Sequence, residues 1–278
     1  MNKEQPLVSV LMTAYNREKY IAEAIESVLA SIYTNFELII VDDCSKDKTV
    51  EIARSYEAED SRLKVYVNEK NFGDYLNRNK AASYAKGKYL KYLDADDIIF
   101  PYGLKIMVDS MEMFPDAGWG ASSISDGDRP MPVAISPIEI FKEHFLKRKY
   151  HFSRGPGSVI IRRTAFEEVG MFSGKRFVGD QELWLKLSCK FPMVKFQNDL
   201  SWDRVHVDQE RNYENSDRSI EKLRSDIYVG VLLSNDCPLS QADIRLILKT
   251  MKISNAKKKI KLPLIFFRKL FNHFASCD

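Results

Sequence analysis

The chain has 278 residues, 45% of them apolar, which is enough to bury one good core or two modest ones and excludes a disordered polymer. Its formal net charge is only +3, with the basic excess gathered near the C-terminus and no zinc finger or other nucleic-acid motif beside it, so no nucleic-acid partner is expected. Cys44, Cys189, Cys237 and Cys277 are scattered without a Cys-x-x-Cys pair, which reads as reduced, cytosolic thiols and not as a zinc site.

Leu7 to Ala14 is the first expected strand; its apolar part is short and runs into Asn16-Arg17-Glu18, unlike a secretory leader. Ile21, Ala24, Ile25, Val28, Leu29 and Ile32 recur at helical spacing and predict an amphipathic helix. Phe36 to Val41 reads as the second strand. A helix from Thr49 to Tyr56 follows Asp47 as its N-cap, and Leu63 to Val67 alternates as a third strand. Asp74 to Lys86 reads as a helix closed by Gly87 in the left-handed C-terminal position, and Tyr89 to Leu93 is the fourth strand. Strand and helix alternate throughout, the pattern of an α/β domain with a largely parallel sheet.

From Pro101 the pattern changes. A helix is expected through Met113, a strand over Gly118 to Ile124 and a surface loop over Ser125 to Pro132. Helix is then expected over Pro137 to Tyr150, strand over Ser158 to Arg162, and helix over Asp180 to Phe191 with Leu183, Leu187 and Phe191 on one face. The remainder reads as mostly helical. No window approaches the roughly 18 consecutive apolar residues of a membrane span, so any membrane contact is expected to be peripheral.

Two strand ends carry acids: Asp42-Asp43 after Leu38 to Val41, and Asp94-Ala95-Asp96-Asp97 after Tyr89 to Leu93. Hard divalent cations take oxygen ligands, and strand ends hold carboxylates where a ligand can reach them. The turn Tyr15-Asn16-Arg17-Glu18 has no glycine and no phosphate-binding loop signature is present, so a dinucleotide-type pyrophosphate cradle is ruled out. A nucleotide held in this sheet would need a cation and basic side chains to neutralise its phosphates, as Asp94 and Asp96 with Arg78 could provide.

Four blocks follow one another: Val8 to Asn16, Ile40 to Ser45, Gly87 to Asp97, and Gly179-Asp180-Gln181-Glu182-Leu183-Trp184. In this order and spacing they resemble family 2 glycosyltransferases of the GT-A fold, from about residue 7 to about residue 210. The resemblance implies that Thr13, Tyr15 and Asp43 hold the nucleobase, usually uracil, Tyr15 by stacking and Asp43 by accepting the imide hydrogen. It makes Asp94 and Asp96 the Asp-x-Asp motif, with Asp96 on Mn²⁺ or Mg²⁺, Asp94 on the ribose or the metal's water shell, and Asp97 as a cap. Arg78-Asn79 would lie near the donor phosphates and ribose, with Asn77 standing where the family usually has a small residue. His206 would approach the metal or the diphosphate. Plainer readings stay open: Tyr15 packing a turn, Asp43 capping one, Arg78 on an exposed helix face, His206 structural.

Asp180 is the general base that the resemblance implies, taking the acceptor hydroxyl's proton, with Glu182 as the fallback and a helix cap as the alternative. Many relatives have an acid where this chain has Gly179. A nucleoside diphosphate whose charge is neutralised by a metal leaves without a proton donor, so one base suffices and attack from the opposite face inverts the anomeric centre. Gly155-Pro156-Gly157-Ser158 would shape the sugar or acceptor pocket, and Trp184 reads as core.

The segment 257–274 sets lysines and arginines around Leu264, Phe267, Leu270, Phe271 and Phe274 at helical spacing. It reads either as an interfacial helix on an anionic membrane surface or as a helix docked on the protein's own core. The expectation is a GT-A catalytic domain over residues 1–215, with a mostly parallel central sheet flanked by helices, and a helical extension over 216–278. It would be an inverting, Mn²⁺- or Mg²⁺-dependent enzyme moving a hexose or N-acetylhexosamine from a UDP-sugar to a saccharide or lipid-linked saccharide in bacterial surface-polysaccharide synthesis. It is placed in the cytoplasm, peripheral on the inner face of the membrane. A catalytically silent nucleotide-sugar binder, for which Gly179 leaves room, stays open as the alternative. A sugar-nucleotide pyrophosphorylase fits less well, because its glycine-rich N-terminal loop is absent.

Overall fold

The computed structural model describes residues 5–123, 129–206 and 218–251. Its first half is a regular alternation: β1 (Val8–Ala14), α1 (Ile21–Leu29), β2 (Phe36–Asp42), α2 (Thr49–Glu59), β3 (Leu63–Val67), α3 (Asp74–Ser83) and β4 (Tyr89–Asp94). These four strands run parallel in the order β3-β2-β1-β4. With helices on both faces, β1, β2 and β4 are buried almost end to end, hence their continuous apolar runs. Successive side chains feed opposite cores: Val10, Met12, Leu38, Ile40 and Leu93 pack with α1, while Leu11, Ile39, Val41, Leu90 and Tyr92 face the other layer.

The second half comprises β5 (Ile98–Ile99), α4 (Gly103–Glu112), β6 (Trp119–Ser122), β7 (Val133–Ile135), α5 (Pro137–Phe145), β8 (Val159–Arg162), α6 (Arg163–Glu168), α7 (Gly179–Lys190), β9 (Met193–Phe196), β10 (Ser201–Trp202) and α8 (Arg218–Leu232). It continues the sheet beyond β4 in the order β8-β6-β9-β7, with β8 antiparallel to both neighbours, β9 parallel to β6 and β7 antiparallel to β9. β5 and β10 pair separately. Trp119 of β6 and Trp184 of α7 stack in the core, their ring centroids 5.3 Å apart and nearly parallel. Ile220, Ile227 and Leu232 of α8, with Leu239, Ile244 and Ile247, join this same core layer.

Several expected boundaries shift. The helix from Asp74 ends at Ser83, not Lys86, and Gly87 is not left-handed. Glycine is required there because a Cβ would lie 2.5 Å from Ser9 N and 2.8 Å from Leu7 O, where the chain enters β4 against β1. Asp47 precedes the cap of α2, which is Lys48, yet its Oδ1 accepts the Thr49 amide at 3.0 Å. The helix from Pro137 stops at Phe145, and Ile32 lies beyond α1 and is exposed. β9 and β10 fall where the sequence reads as helix. The segment 257–274 lies outside the described residues.

Candidate active site

β1, β2 and β3 step one way across the sheet and β4 returns to the other side of β1, so the strand order reverses between β1 and β4. Ligands of open α/β sheets bind outside the strand C-termini at such a reversal. Thr13 and Asp94 are register partners across it, and Thr13 Oγ1 donates to Asp94 Oδ1 at 3.4 Å. Beyond β4 the chain turns sharply, the Asp97 amide donating to the Asp94 carbonyl at 3.0 Å. That turn brings carboxylate oxygens of Asp94, Asp96 and Asp97 within 4.8 Å of one another. Asp96 and Asp97 are buried and Asp94 is partly open. Burial first, then the Asp94 charge, pushes the Asp97 carboxyl up to about 8; the Arg204 amide opposes this, while Asp96 and Asp203 add to it. An all-oxygen set with more negative charge than it can hold alone fits a hard divalent cation such as Mg²⁺ or Mn²⁺.

Arg78 and Arg17 approach this turn differently. Arg78 of α3 is buried, its Nη2 2.7 Å from Asp94 Oδ1 and its Nε 2.8 Å from Asp74 Oδ1, so it is not an exposed helix arginine. Burial works against its charge, but Asp74 and Asp94 outweigh burial and raise its pKa above the usual arginine range. Its Nη1 is buried with no partner among the described residues. Arg17, in the loop after β1, places Nε 2.9 Å from Asp96 Oδ2. His206 Nε2 lies 2.8 Å from the same oxygen, and the His206 ring packs against Tyr20. His206 therefore meets the cluster through Asp96 and is not one of its three close carboxylates.

Asp43, at the end of β2, faces the loop that leads into α3. Its Oδ1 accepts Asn68 Nδ2 at 2.8 Å and the Phe72 amide at 2.9 Å; its Oδ2 accepts the amides of Phe72 at 3.1 Å and Gly73 at 2.8 Å. Three donors thus hold both oxygens, the Phe72 amide being shared between them, so a base reading Asp43 must compete with these donors. Asn77 completes the network: its Oδ1 accepts from Asn68 Nδ2 at 2.8 Å and its Nδ2 donates to the Val41 carbonyl at 3.0 Å. A small residue at 77 could not make that tie. Tyr15 is 44% exposed at the end of β1, its ring free to stack. The adjacent Asn16 is left-handed (φ 53°), and its Oδ1 accepts the Lys46 amide at 2.9 Å, which joins the loops after β1 and β2.

Asp180 lies in the first turn of α7, against α3. Burial, then the charges of Asp180 and Asp74, drive the Tyr75 hydroxyl far above its usual range, and the Asp180 amide faces that hydroxyl. The same α3 carries Arg78, so Asp94, Arg78, Tyr75 and Asp180 are linked through one helix. Gly179 is explained by this contact: a Cβ there would lie 2.8 Å from the Tyr75 ring, so any side chain at 179 would force the buried ring to shift. Glu182 is tied to Ser173 and, at 2.8 Å, to Lys175, whose bonds hold its carboxyl below the usual range against burial.

Three contributors are absent from the sequence reading as site residues. Asp97 completes the carboxylate triad. Arg204 straps the segment after β10 onto the acidic turn: its amide donates to Asp97 Oδ1 at 2.9 Å, its Nε to the Asp96 carbonyl at 2.8 Å, and its guanidinium lies over Tyr20 and Trp202. Lys91, fully buried in β4, donates to the carbonyls of Tyr92 and Gly157 and so anchors the 155–158 turn. Burial pushes its amine down to about 8, against the pull of Asp203, Asp97 and Asp94. A lysine inside an otherwise apolar strand is the signal that could have found it.

The sequence profile of glycosyl transferase family 2 matches residues 9–170. TuaG of Bacillus subtilis, whose name assigns it to teichuronic acid biosynthesis, is 44% identical over 97 residues, which is 35% of this chain and 38% of that protein. The aligned stretches span 38%, 60% and 39% of the lengths of TuaG and two further curated glycosyltransferases, less than two thirds of each. S. aureus TarS 1–349 in complex with UDP-GlcNAc superposes with a TM-score of 0.69 at 22% identity, covering 87% of this chain and 70% of that one. The mannosyltransferase PcManGT of Pyrobaculum calidifontis, in complex with GDP-Man and Mn²⁺, gives a TM-score of 0.62 at 15% identity, covering 95% and 81%. The fold is thus the GT-A fold of these transferases. With a match over more than half of its length, the chain belongs to glycosyl transferase family 2.

Proposed function

We propose that the chain is an inverting, metal-dependent glycosyltransferase that moves a hexose or N-acetylhexosamine from a UDP-sugar to a saccharide or lipid-linked saccharide. The observation that carries this reading is the triad Asp94, Asp96 and Asp97 at the sheet's reversal point, backed by Arg78 and linked through α3 to Asp180. The bound UDP-GlcNAc of TarS and the name of TuaG support the donor and the surface-polysaccharide context. In this reading residues 1–215 form the catalytic domain, and the extension 216–278 brings the segment 257–274 to an anionic membrane surface on the cytoplasmic side. No helix among the described residues is long and apolar enough to cross a membrane.

Asp94, Asp96 and Asp97 would hold Mn²⁺ or Mg²⁺, with His206 beside Asp96; the cation, when bound, neutralises the charge that grows on the departing diphosphate. Arg78 adds a fixed positive charge on the same side. Tyr15 stacks on the nucleobase, with Thr13 and Asp43 flanking it. Asp180 takes the acceptor hydroxyl's proton as the hydroxyl oxygen bonds to the anomeric carbon, the bond from that carbon to the diphosphate oxygen breaks, and the nucleoside diphosphate leaves with the electron pair. Attack from the face opposite the leaving group turns an α-linked donor into a β-linked product.

A panel of UDP-, GDP- and dTDP-sugars with Mn²⁺, read by donor hydrolysis, tests the reading. Hydrolysis of a UDP-sugar that is lost in Asp96→Ala and Asp180→Asn is the expected result. Cation-dependent UDP binding with no sugar released from any donor would replace the transferase with a silent binder. Liposome binding that survives deletion after Lys257 would remove the membrane contact.

A further inference from the structure

We propose that Arg17 is a resident counter-cation of the acidic turn, which holds the Asp96 carboxylate and competes with the divalent cation for it. The inference rests on the metal-site reading above, and it concerns what occupies Asp96 before a cation does. Asp96 Oδ2 receives Arg17 Nε at 2.9 Å and contacts His206 Nε2 at 2.8 Å. A carboxylate oxygen has two in-plane lone pairs, so a cation binding that oxygen must displace one of these partners.

Arg17 is the partner built to leave. Its guanidinium also donates from Nη1 to the carbonyls of Tyr15 and Asn16, both at 3.1 Å, and its own amide is fixed on Thr49 Oγ1 at 2.7 Å. The amide anchor does not depend on the side chain, so the guanidinium can swing away from Asp96 as a rigid unit without moving the loop backbone. The Arg17 side chain is 23% exposed, against 5% for Arg78, which is locked between Asp74 and Asp94. The turn thus has one permanent positive charge on Asp94 and one removable charge on Asp96. A guanidinium left near the site repels an incoming double charge, so removing it favours the cation.

Mn²⁺ binding to the full chain without donor, followed by the electron paramagnetic resonance signal of free Mn²⁺, is the test. Arg17→Gln is expected to tighten Mn²⁺ about tenfold, the scale of one charge against two at roughly 5 Å in a water-like dielectric. Arg17→Lys, which keeps the charge, is expected to stay near wild type. An Arg17→Gln protein that binds Mn²⁺ equally or more weakly overturns the proposal. Asp96→Asn separates the two levels: if it leaves wild-type Mn²⁺ affinity untouched, the metal site itself is wrong, whatever Arg17 does. A measurement on the unmutated protein stands beside these variants. Diamagnetic Mg²⁺ should move the Arg17 Nε–H resonance as its bond to Asp96 breaks, and a resonance that stays in place while the Asp96 amide shifts would contradict the competition.

Discussion

The two halves of the sheet build their parts of the cleft by different means. In β3-β2-β1-β4 the strands are five to seven residues long and parallel, all but the edge strand β3 are buried on both faces, and the ends of β1, β2 and β4 deliver Thr13, Asp43 and the acidic turn directly. In β8-β6-β9-β7 the strands have three or four residues and pair out of chain order. There the proposed base sits on a helix, and its place depends on packing: Tyr75 against Gly179, Trp184 on Trp119, and Trp184 Nε1 donating to the Arg154 carbonyl at 2.8 Å. The strand-end carboxylates are fixed by backbone pairing, whereas Asp180 is fixed by side-chain packing, of which the Tyr75–Gly179 contact crosses between the halves.

That contrast predicts which changes separate the two sides. Asp96→Asn and Asp180→Asn should each lower turnover by about 10²- to 10⁴-fold, but only the first should weaken Mn²⁺ binding. Calorimetric Mn²⁺ titration alongside donor turnover reads both, and parallel loss of Mn²⁺ binding in Asp180→Asn would erase the distinction. Trp184→Ala should cost ~3–5 kcal/mol in denaturant unfolding, because it empties a large buried site under α7. A loss below 1 kcal/mol, on the order of an exposed substitution, would mean that the Trp119 stack does not hold the helix.

The mixed half also carries a pH signature. His144 of α5 is enclosed by Phe145, Tyr150, Phe152 and Tyr228, and burial pushes its imidazole down to about 3, with His151 adding to the effect. The folded state keeps it neutral, whereas the unfolded chain protonates it near the ordinary pKa of ~6.5. Its stabilisation is therefore present above pH ~6.5 and is lost as pH falls toward 3, by a few kcal/mol in all. His144→Phe should flatten this dependence in unfolding experiments, and an unchanged slope would assign it to other groups. The smallest expected effect is Gly179→Ala: overpacking against Tyr75 should cost ~1–3 kcal/mol and lower turnover, while Mn²⁺ binding is unchanged. Tyr75→Ala in the same chain should relieve that clash.

What could be read in advance follows the same divide. The parallel half is legible because each strand carries its own apolar run and each acidic tip adjoins it in the chain. β9 and β10 are hidden, since Met193–Phe196 and Ser201–Trp202 gain their pairing only from distant partners, β6 with β7 and β5 respectively. The same holds for side chains. Arg78 and Asp96 are recognisable by local motif, whereas the Arg204 strap, the Arg17 contact and the buried Lys91 depend on residues 79 to 181 positions away or on a carbonyl 66 positions away. Gly179, which reads as a lost acid, is a packing requirement of Tyr75, and no local rule links positions 75 and 179.

The central claim is that three carboxylates of one turn hold a single divalent cation at the reversal of the sheet. Anomalous diffraction from a crystal soaked in Mn²⁺ tests it most directly. One strong peak bonded to oxygens of Asp94, Asp96 and Asp97 is expected; a peak among other residues, or a clean map around that turn at saturating Mn²⁺, would rule the site out.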